Sequence, residues 1–363
     1  MAKKLLFTAY SLGLGGIEKA LVNLLNRLDY KKYDVTLILE KKEGIFLEQI
    51  PKEVKVLEYK ISDNKIVILR KIYNRLKLLK WQSQLKNKYD FSCSFCTYSI
   101  PGAHLALAAS SNNALLMHGN YYILYKEKMV NFLDGVMAKK FKNIVFVSQE
   151  NKRDVCAHYE GIEDKAMVCN NYIDGENILT KAQEKVDYVK QDGVPLFVNV
   201  GRHDEHQKKL SRIIEASARL KKEKYKFKIL FIGDGPDTEK YKEQVKDANL
   251  SDDILFLGRK SNPYPYYKMS DAVLLASDYE GFPVVFLEAM IMNKVILSTR
   301  VSDWEDLDGQ NGLFCDFSTE AVYEMMKNYL DNGFKLKEQF DYIEYNKDID
   351  KKIINLINEK ACK

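Results

Sequence analysis

In the sequence, a short apolar run leads directly into Ser277-Asp-Tyr-Glu-Gly-Phe-Pro-Val-Val-Phe-Leu-Glu-Ala-Met290. The apolar run predicts a buried strand. Pro283 stands where a helix can begin, because its missing N–H would be unpaired there. Glu280 should therefore lie in a strand-to-helix turn and Glu288 in the second turn of the helix. Gly281 would let the backbone approach a ligand, and the helix start favours an anion. An ordinary corner with two solvated acids is the alternative that this spacing leaves open.

Composition indicates a folded chain long enough for two domains. The chain has 363 residues, 46% hydrophobic and 29% charged, which excludes a disordered protein, and its net charge of +5 does not demand nucleic acid. No run approaches the roughly 20 apolar residues that a membrane span needs. No signal-peptide pattern follows Met1, so we expect a cytosolic protein.

The cysteines are scattered, which favours a reduced setting without disulfides. They are Cys93, Cys96, Cys156, Cys169, Cys315 and Cys362. The first two form a lone C-x-x-C, and no second ligand pair for zinc accompanies them. We therefore expect structural thiols there.

The first half opens with a strand, a glycine-rich turn and a helix. Lys4–Tyr10 reads as the strand, Ser11–Gly16 as the turn and Ile17–Leu28 as the helix. The dinucleotide pattern G-x-G-x-x-G is not met, because Glu18 stands where its last glycine would be. Gly15 and Gly16 indicate a place where the backbone meets a substrate. A tight turn that needs glycine only for its geometry is the alternative.

Residues 65–88 contain eight lysines and arginines and no acid. Apolar residues recur among them at helical spacing: Leu69, Ile72, Tyr73, Leu76 and Leu79. For this apolar stripe we favour packing in the core of the first domain. For the charged face, the absence of acids predicts attraction to an anionic membrane surface. Nucleic acid is not expected, because no recognised binding module accompanies the charge.

His118 follows a predicted strand, Ala114–Met117. The carboxyl ends of parallel strands face the ligand crevice of an open sheet. His118 could therefore hydrogen-bond a sugar or a developing charge, and a structural histidine is the alternative.

After a polar stretch, Lys181–Gly193, in which we place the linker, the strand-and-helix pattern restarts. Its strands end in Gly201, Gly233 and Gly258, and the next strand leads to the Glu280 turn. The alternation predicts parallel sheets with helices on both faces, so these four ends should share one edge. Arg202 and Lys208 would place positive charge beside that edge, which suits a diphosphate. The histidines of His203-Asp-Glu-His206 do not match a metal motif, and we expect no metal there.

Several segments together carry a family resemblance: Leu14-Gly-Gly-Ile-Glu-Lys-Ala-Leu21, Val200-Gly-Arg202 with Gln207-Lys208, Ile232-Gly-Asp-Gly-Pro236, Phe256-Leu-Gly258, and Glu280-Gly-Phe-Pro-Val-Val-Phe-Leu-Glu-Ala-Met290. They resemble the retaining glycosyltransferases of the GT-B fold, family 4, also called glycosyl transferases group 1. The resemblance extends from about residue 4 to residue 330. It departs at Lys209, where the family often has glycine, and at Val301-Ser-Asp-Trp304, where small residues are usual.

The resemblance implies an α/β GT-B fold, in which two Rossmann-like domains face a cleft. We assign residues 1–180 to an acceptor-binding domain and residues 190–345 to a nucleotide-sugar-binding domain. Residues 346–363 would form a terminal helix that packs back on the first domain.

The resemblance also implies roles for the site residues. Arg202 and Lys208 would neutralise the leaving diphosphate, Glu280 would contact the transferred sugar, and Glu288 would accept hydrogen bonds from the ribose. His118 completes the catalytic set that we expect. The remaining candidates would hold the donor, largely through their backbone: Gly15, Gly16, Gly201, Gly233, Gly258, Arg259, Gly281, Phe282, Pro283, Val284 and Val285.

The function implied is transfer of a sugar from a nucleotide sugar, with UDP favoured and GDP as the alternative. The acceptor would be a glycan or a lipid-linked glycan of the cell envelope, extended at the inner membrane face. No cofactor and no metal are expected, because arginine and lysine replace the metal at the diphosphate. Another GT-B enzyme, such as an epimerase or a phosphorylase, and a non-catalytic glycan-binding or partner-binding member remain as alternatives.

Overall fold

The computed structural model describes residues 2–13, 15–62 and 65–358. Leu14 and Cys362, which the sequence analysis used, lie outside these ranges. The described chain forms two parallel sheets flanked by helices. Two compact units carry one sheet each: the first ends at Ile173 and resumes at Tyr345, and the second is Asp174–Glu344.

The strands are β1 Lys3–Ala9, β2 Tyr33–Leu39, β3 Lys55–Glu58, β4 Phe91–Ser94, β5 Asn113–Met117, β6 Asn143–Phe146, β7 Ala166–Val168, β8 Leu196–Val200, β9 Lys228–Ile232, β10 Ile254–Gly258, β11 Ala272–Leu274, β12 Val295–Thr299 and β13 Gly312–Cys315. The α-helices are α1 Gly16–Arg27, α2 Val67–Leu85, α3 Ile100–Ala109, α4 Tyr121–Tyr125, α5 Met129–Gly135, α6 Gln149–His158, α7 Gly175–Lys181, α8 Leu210–Lys222, α9 Thr238–Asp247, α10 Tyr264–Met269, α11 Val284–Ile291, α12 Thr319–Asn332 and α13 Tyr342–Asn358.

Both sheets have a doubly wound strand order. The first unit has the order β3-β2-β1-β4-β5-β6-β7, and the second has β10-β9-β8-β11-β12-β13. The order reverses beside β1 and beside β8. In such sheets the ligand crevice lies outside the carboxyl ends of the strands at the reversal. The predicted α/β class with two Rossmann-like units is therefore confirmed.

The boundary between the units lies earlier than the linker that we placed at Lys181–Gly193. The second unit begins at Asp174, whose side chain caps α7 by accepting a hydrogen bond from Asn177 N. α7 packs against α10 and α11, so it belongs to the second unit. The polar composition of the predicted linker did not show this, because a helix joins a unit through its buried face.

The last helix, α13, packs on the first unit from Tyr345 onward. Ile349, Leu356 and Ile357 lie in the same apolar core as β1 and α1. The Arg27 guanidinium forms a bidentate ion pair with Asp350, and Tyr172 Oη donates to the same carboxylate at 2.6 Å.

Helix α2 contradicts the expectation that its apolar stripe lies in the core. Leu69, Ile72, Leu76 and Leu79 are each more than half exposed, and Leu85 is the buried residue of the helix. The opposite face of α2 holds it on the unit, where Trp81 lies edge-on to Tyr59 at 5.4 Å. Periodicity alone shows that an apolar face exists, and does not show which face the rest of the protein covers.

Within the described residues, no helix combines the length and the apolar character needed to cross a membrane.

Candidate functional site

The second unit brings its three predicted glycines side by side at the carboxyl edge of the sheet. Gly201 N donates to Ile232 O at 3.0 Å, and Gly233 N donates to Gly258 O at 2.9 Å. Gly233 has a φ of +145°, and a Cβ added there would lie 1.8 Å from Gly201 O. Glycine is therefore required at this position both by backbone conformation and by space. The result is an edge at which the backbone is open to a ligand.

Replacing Gly233 by alanine should lower the melting temperature and weaken ligand binding at this edge. The new methyl group would have to push β9 away from β8, and a strained backbone of this kind costs about 1–3 kcal/mol before the steric clash. Differential scanning calorimetry checks the result. Gly16→Ala is the matched control, since a Cβ at Gly16 meets nothing within 4 Å. Equal melting temperatures for Gly233→Ala and the wild type would contradict the geometry.

Lys208 and Glu280 meet in a mostly buried ion pair beside this edge. Lys208 Nζ lies 2.5 Å from Glu280 Oε1, and Ser277 Oγ donates to the same oxygen at 2.7 Å. Gln207 Nε2 contributes a longer contact of 3.4 Å to the other oxygen. Glu280 is 7% exposed. The pair is therefore held in one geometry and aligns the ammonium group along the glycine edge, near Gly201.

The turn that carries Glu280 is tied to its surroundings by backbone and hydroxyl contacts. Asp278 N donates to Gln207 O at 2.8 Å. Thr299 Oγ1 donates to Ser277 O at 2.6 Å, and Ser302 Oγ donates to Gly281 O at 3.0 Å. The turn thus bridges the start of α8 and the end of β12. A side chain on such a fixed turn is well suited to orient a ligand group.

Two further cations stand at the same edge. Arg202 Nη2 pairs with Asp204 at 2.6 Å, and Arg259 Nε pairs with Asp234 at 3.4 Å. Both guanidinium groups are more than 60% exposed, at 62% and 65%. Ion pairs in contact with water are weak, at about 0–1 kcal/mol. A bound phosphate could therefore replace either carboxylate as the partner.

Helix α11 begins as the sequence predicts, at the residue after Pro283, which is its N-cap. Phe282, Val284 and Val285 are half-buried and border the turn. The first N–H groups of an α-helix have no intrahelical acceptor, and the helix dipole adds positive potential there. The start of α11 can therefore bind an anion. Glu288 follows one turn later and accepts a hydrogen bond from Tyr267 Oη at 2.8 Å.

Lys209, the departure from the family pattern, has the left-handed backbone conformation, with φ 50° and ψ 45°. Glycine adopts this conformation at less cost than other residues. Glycine would therefore fit this position with less backbone strain than lysine does. Lys209 forms a 3.6 Å ion pair with Asp278, which links it to the Glu280 turn.

In the first unit, Gly15 and Gly16 stand at the start of α1, where Gly15 is the N-cap. The loop before them is braced by Gly44, which the sequence analysis did not single out. Gly44 has a φ of +123°, and a Cβ there would lie 2.0 Å from the backbone of Leu12. The residues around Gly44 do not indicate its positive φ, because isolated glycines are common in loops.

His118 lies directly after β5, at the carboxyl edge of the first sheet, with its ring 4.7 Å from that of Phe95. Burial lowers the pKa of His118 to about 4, against a smaller opposing effect of the Phe95 backbone. The ring is therefore neutral at pH 7. A neutral imidazole has one nitrogen that donates a hydrogen bond and one that accepts, and either could bond a sugar hydroxyl.

His203 and His206 each lie within hydrogen-bonding distance of a hydroxyl group. His203 is buried, with Nδ1 2.9 Å from Thr238 Oγ1, whereas His206 lies 3.2 Å from Tyr279 Oη. Among the described residues, no three His, Cys, Asp or Glu side chains converge as a metal site would require. Burial raises the pKa of Cys93, and it raises that of Cys96 to about 12, so both thiols of the C-x-x-C stay protonated.

Most of the second unit matches the model of a known family. Residues 180–348 match the family model described as glycosyl transferases group 1. Over 358 residues, the chain is 27% identical to the Campylobacter jejuni N-acetylgalactosamine-N,N'-diacetylbacillosaminyl-diphospho-undecaprenol 4-alpha-N-acetylgalactosaminyltransferase, covering 93% of each chain. It is 24% identical over 266 residues to an uncharacterized glycosyltransferase of Methanocaldococcus jannaschii, covering 69% of this chain and 65% of that protein, just under two thirds.

Solved structures resemble the whole chain. Anabaena HepE in complex with UDP matches with a TM-score of 0.76 and 16% identity, over 97% of this chain and 100% of that one. The lipopolysaccharide outer core galactosyltransferase WaaB matches with a TM-score of 0.70 and 18% identity, over 98% of this chain and 99% of that one. At these identities the likeness shows the fold. The chain has the GT-B fold, and residues 180–348 match the group 1 glycosyltransferases.

Proposed function

We propose that the chain transfers a sugar from a nucleotide sugar to a glycan or lipid-linked glycan of the cell envelope. UDP-sugars are the favoured donors, and GDP-sugars are the alternative. The anomeric configuration is retained and no metal takes part. The observation that carries the proposal is the Lys208–Glu280 ion pair, held at 2.5 Å beside the glycine edge of the second unit.

This arrangement suits a diphosphate that leaves a sugar. When the bond between the anomeric carbon and the diphosphate oxygen breaks, negative charge grows on the phosphate. Lys208, Arg202 and the first amides of α11 would stabilise that charge, which is where catalysis gains most from fixed positive groups. These cations take the place that a metal ion holds in other transferases. Gly233 and Gly258 would let the phosphates lie against the backbone.

The acceptor hydroxyl would form its new bond on the face that the diphosphate leaves, and its proton would pass to the departing phosphate oxygen. Glu280 would bind hydroxyls of the transferred sugar while it holds Lys208. His118, neutral at pH 7, would contribute one hydrogen bond to the sugar. Retention is supported by the likeness of the Glu280 and Glu288 spacing to the retaining family.

The acceptor is proposed to be attached to a membrane, because α2 has the features of a helix that lies at a lipid surface. Its outward face is apolar, with Ile68 70% and Leu76 62% exposed. Lys71, Arg75 and Lys80 are exposed on the same helix, which has no acidic residue. An exposed apolar stripe between basic residues binds anionic bilayers by burying the stripe and pairing the cations with headgroups.

The inner face of α2 explains why this exposure does not unfold the helix. Ser62 N donates to Asn74 Oδ1 at 2.9 Å, and Gln82 Nε2 donates to His104 O at 3.3 Å. Lys77 lies over the Tyr59 ring, 5.3 Å from its centroid. Contacts along one side thus fix α2 on the unit, and the opposite side stays available. The Campylobacter relative, whose name specifies a diphospho-undecaprenol substrate, supports the same kind of acceptor.

The donor is tested by a thermal-shift panel of UDP, GDP, ADP and their sugars. Binding to the native state alone raises its stability, by about 2.7 kcal/mol at 100 times the dissociation constant. We expect UDP and UDP-sugars to give the largest rise in melting temperature, unchanged by EDTA. A parallel assay with extracted membrane glycolipids should release nucleoside diphosphate. If no member of the panel shifts the melting temperature, the proposed function is wrong.

A further inference from the structure

Two tyrosines of α10 lie beside the Glu288 carboxylate. Tyr267 Oη donates to Glu288 Oε2 at 2.8 Å, and the Tyr264 hydroxyl is close enough for the same carboxylate to raise its pKa. The two tyrosines are three residues apart, so they lie on one face of α10. Tyr267 is completely buried and Tyr264 is half-buried. Neither residue belongs to the motif from which the site was predicted.

Both phenols act as hydrogen-bond donors throughout the physiological pH range. Burial, and after it the nearby Glu288 carboxylate, raise the pKa of Tyr267 and of Tyr264 well above the usual value near 10. A protonated phenol donates a single hydrogen bond, so each tyrosine specifies one position around the carboxylate. Hydrogen bonds to a charged group are also stronger than those between neutral groups.

The helix that carries the tyrosines is itself fixed at both ends. Tyr264 N donates to Asn262 Oδ1 at 3.2 Å, and Asn262 Nδ2 donates to Lys181 O at 2.9 Å. At the other end, Ser270 Oγ donates to Tyr267 O at 2.9 Å, and Lys294 Nζ donates to Ser270 O at 2.8 Å. A side chain supported by such a rigid element keeps the geometry that a binding contact needs.

We propose that Tyr267 and Tyr264 are positioning residues, which orient Glu288 to accept both hydroxyls of a vicinal diol, the ribose of the donor nucleotide. The inference deepens the proposed function and rests on it. A carboxylate has about four acceptor positions, so two phenols do not exhaust its capacity. Without them the carboxylate could rotate, and part of the binding energy would be lost in ordering it again.

The test compares Tyr267→Phe with the wild type in calorimetric titrations with UDP and with 2′,3′-dideoxy-UDP. The substitution keeps the buried ring and removes one donor. We expect it to weaken binding of UDP by about 10-fold, in keeping with a hydrogen bond to a charged group. Binding of the dideoxy nucleotide should be unchanged, since it has no diol for Glu288 to hold. In turnover, KM for the donor should rise and kcat should change little.

Tyr266→Phe is the matched control, because Tyr266 lies between the two tyrosines in α10, is also buried, and has its ring beside Lys260, whose Nζ lies 6.0 Å from the ring centroid. It should bind both nucleotides as the wild type does. If Tyr267→Phe weakens the binding of UDP and of dideoxy-UDP equally, Tyr267 has a general structural role. If UDP binding is unchanged, Tyr267 has no role in it. Either result overturns this inference and leaves the proposed function standing. If the wild type binds none of UDP, GDP and ADP, the proposed function fails, and the inference with it.

Discussion

Lys208→Ala should reduce kcat by about 100- to 1,000-fold, the effect seen when a fixed group that stabilises transition-state charge is removed. In the second unit the ammonium group lies 2.5 Å from Glu280 and alongside the glycine edge. Its loss would leave the developing phosphate charge to Arg202 and to the start of α11. KM for the donor should change less than kcat, because the charge grows mainly as the bond breaks. Steady-state kinetics with a UDP-sugar and extracted acceptor checks this.

The variant also leaves Glu280, 7% exposed, without its cation, which by itself destabilises the fold. The double variant Lys208→Met with Glu280→Gln removes both charges, so it should recover stability but not activity. Lys221→Ala is the matched control, because Lys221 forms an ion pair of equal length, 2.5 Å, with Asp253 away from the glycine edge. Full activity in Lys208→Ala, or equal loss in Lys221→Ala, would exclude the proposed role of the ion pair.

Replacing Leu69, Ile72, Leu76 and Leu79 by glutamine should abolish binding to vesicles of phosphatidylglycerol and phosphatidylcholine. These side chains already face water, so the melting temperature should not fall. Reversing the exposed Lys71, Arg75 and Lys80 to glutamate should weaken binding at least about 100-fold, since each cation near an anionic surface contributes ~1 kcal/mol. Vesicle flotation at low and high salt separates the apolar contribution to binding from the electrostatic one, because salt screens only the electrostatic attraction.

Lys77 is left unchanged in this design, since it donates to Lys60 O and covers Tyr59. Val189→Gln with Ile354→Gln serves as the control, because both residues are exposed apolar side chains outside α2, at 84% and 46%. The control should float as the wild type does. If both α2 variants float with the vesicles as the wild type does, α2 does not bind the membrane, and the membrane proposal is wrong.

Much of the fold follows from local pattern. Continuous apolar runs marked the buried parallel strands, so the strand predicted at Ala114–Met117 differs by one residue from β5, Asn113–Met117. The boundary at Asp174 was missed because α7 is assigned to its unit by contacts with α10 and α11, which are remote in sequence. The exposed stripe of α2 was missed for a related reason. A hydrophobic period shows that a face exists, and the protein around it determines whether that face is covered.

The candidate site likewise has features that the sequence predicts and features that only the folded chain shows. That Gly201, Gly233, Gly258 and the Glu280 turn meet at one edge followed from the sequence, because parallel topology brings strand ends together. The partners of the carboxylates were not identifiable. Ser277 and Gln207 bind Glu280, and Tyr267 binds Glu288, through contacts that no spacing predicts.

The turn from Ser277 to Met290 shows both contributions. Residue types and spacing were enough to establish a strand, a turn and a helix, with Glu280 in the turn and Glu288 one helical turn beyond its start. They could not establish what each carboxylate does, because a carboxylate's behaviour depends on its neighbours in space. In the folded chain Glu280 is paired with Lys208, whereas Glu288 accepts a hydrogen bond from Tyr267. Local propensity and pattern select the elements, and the charge environment arises only when distant segments pack together.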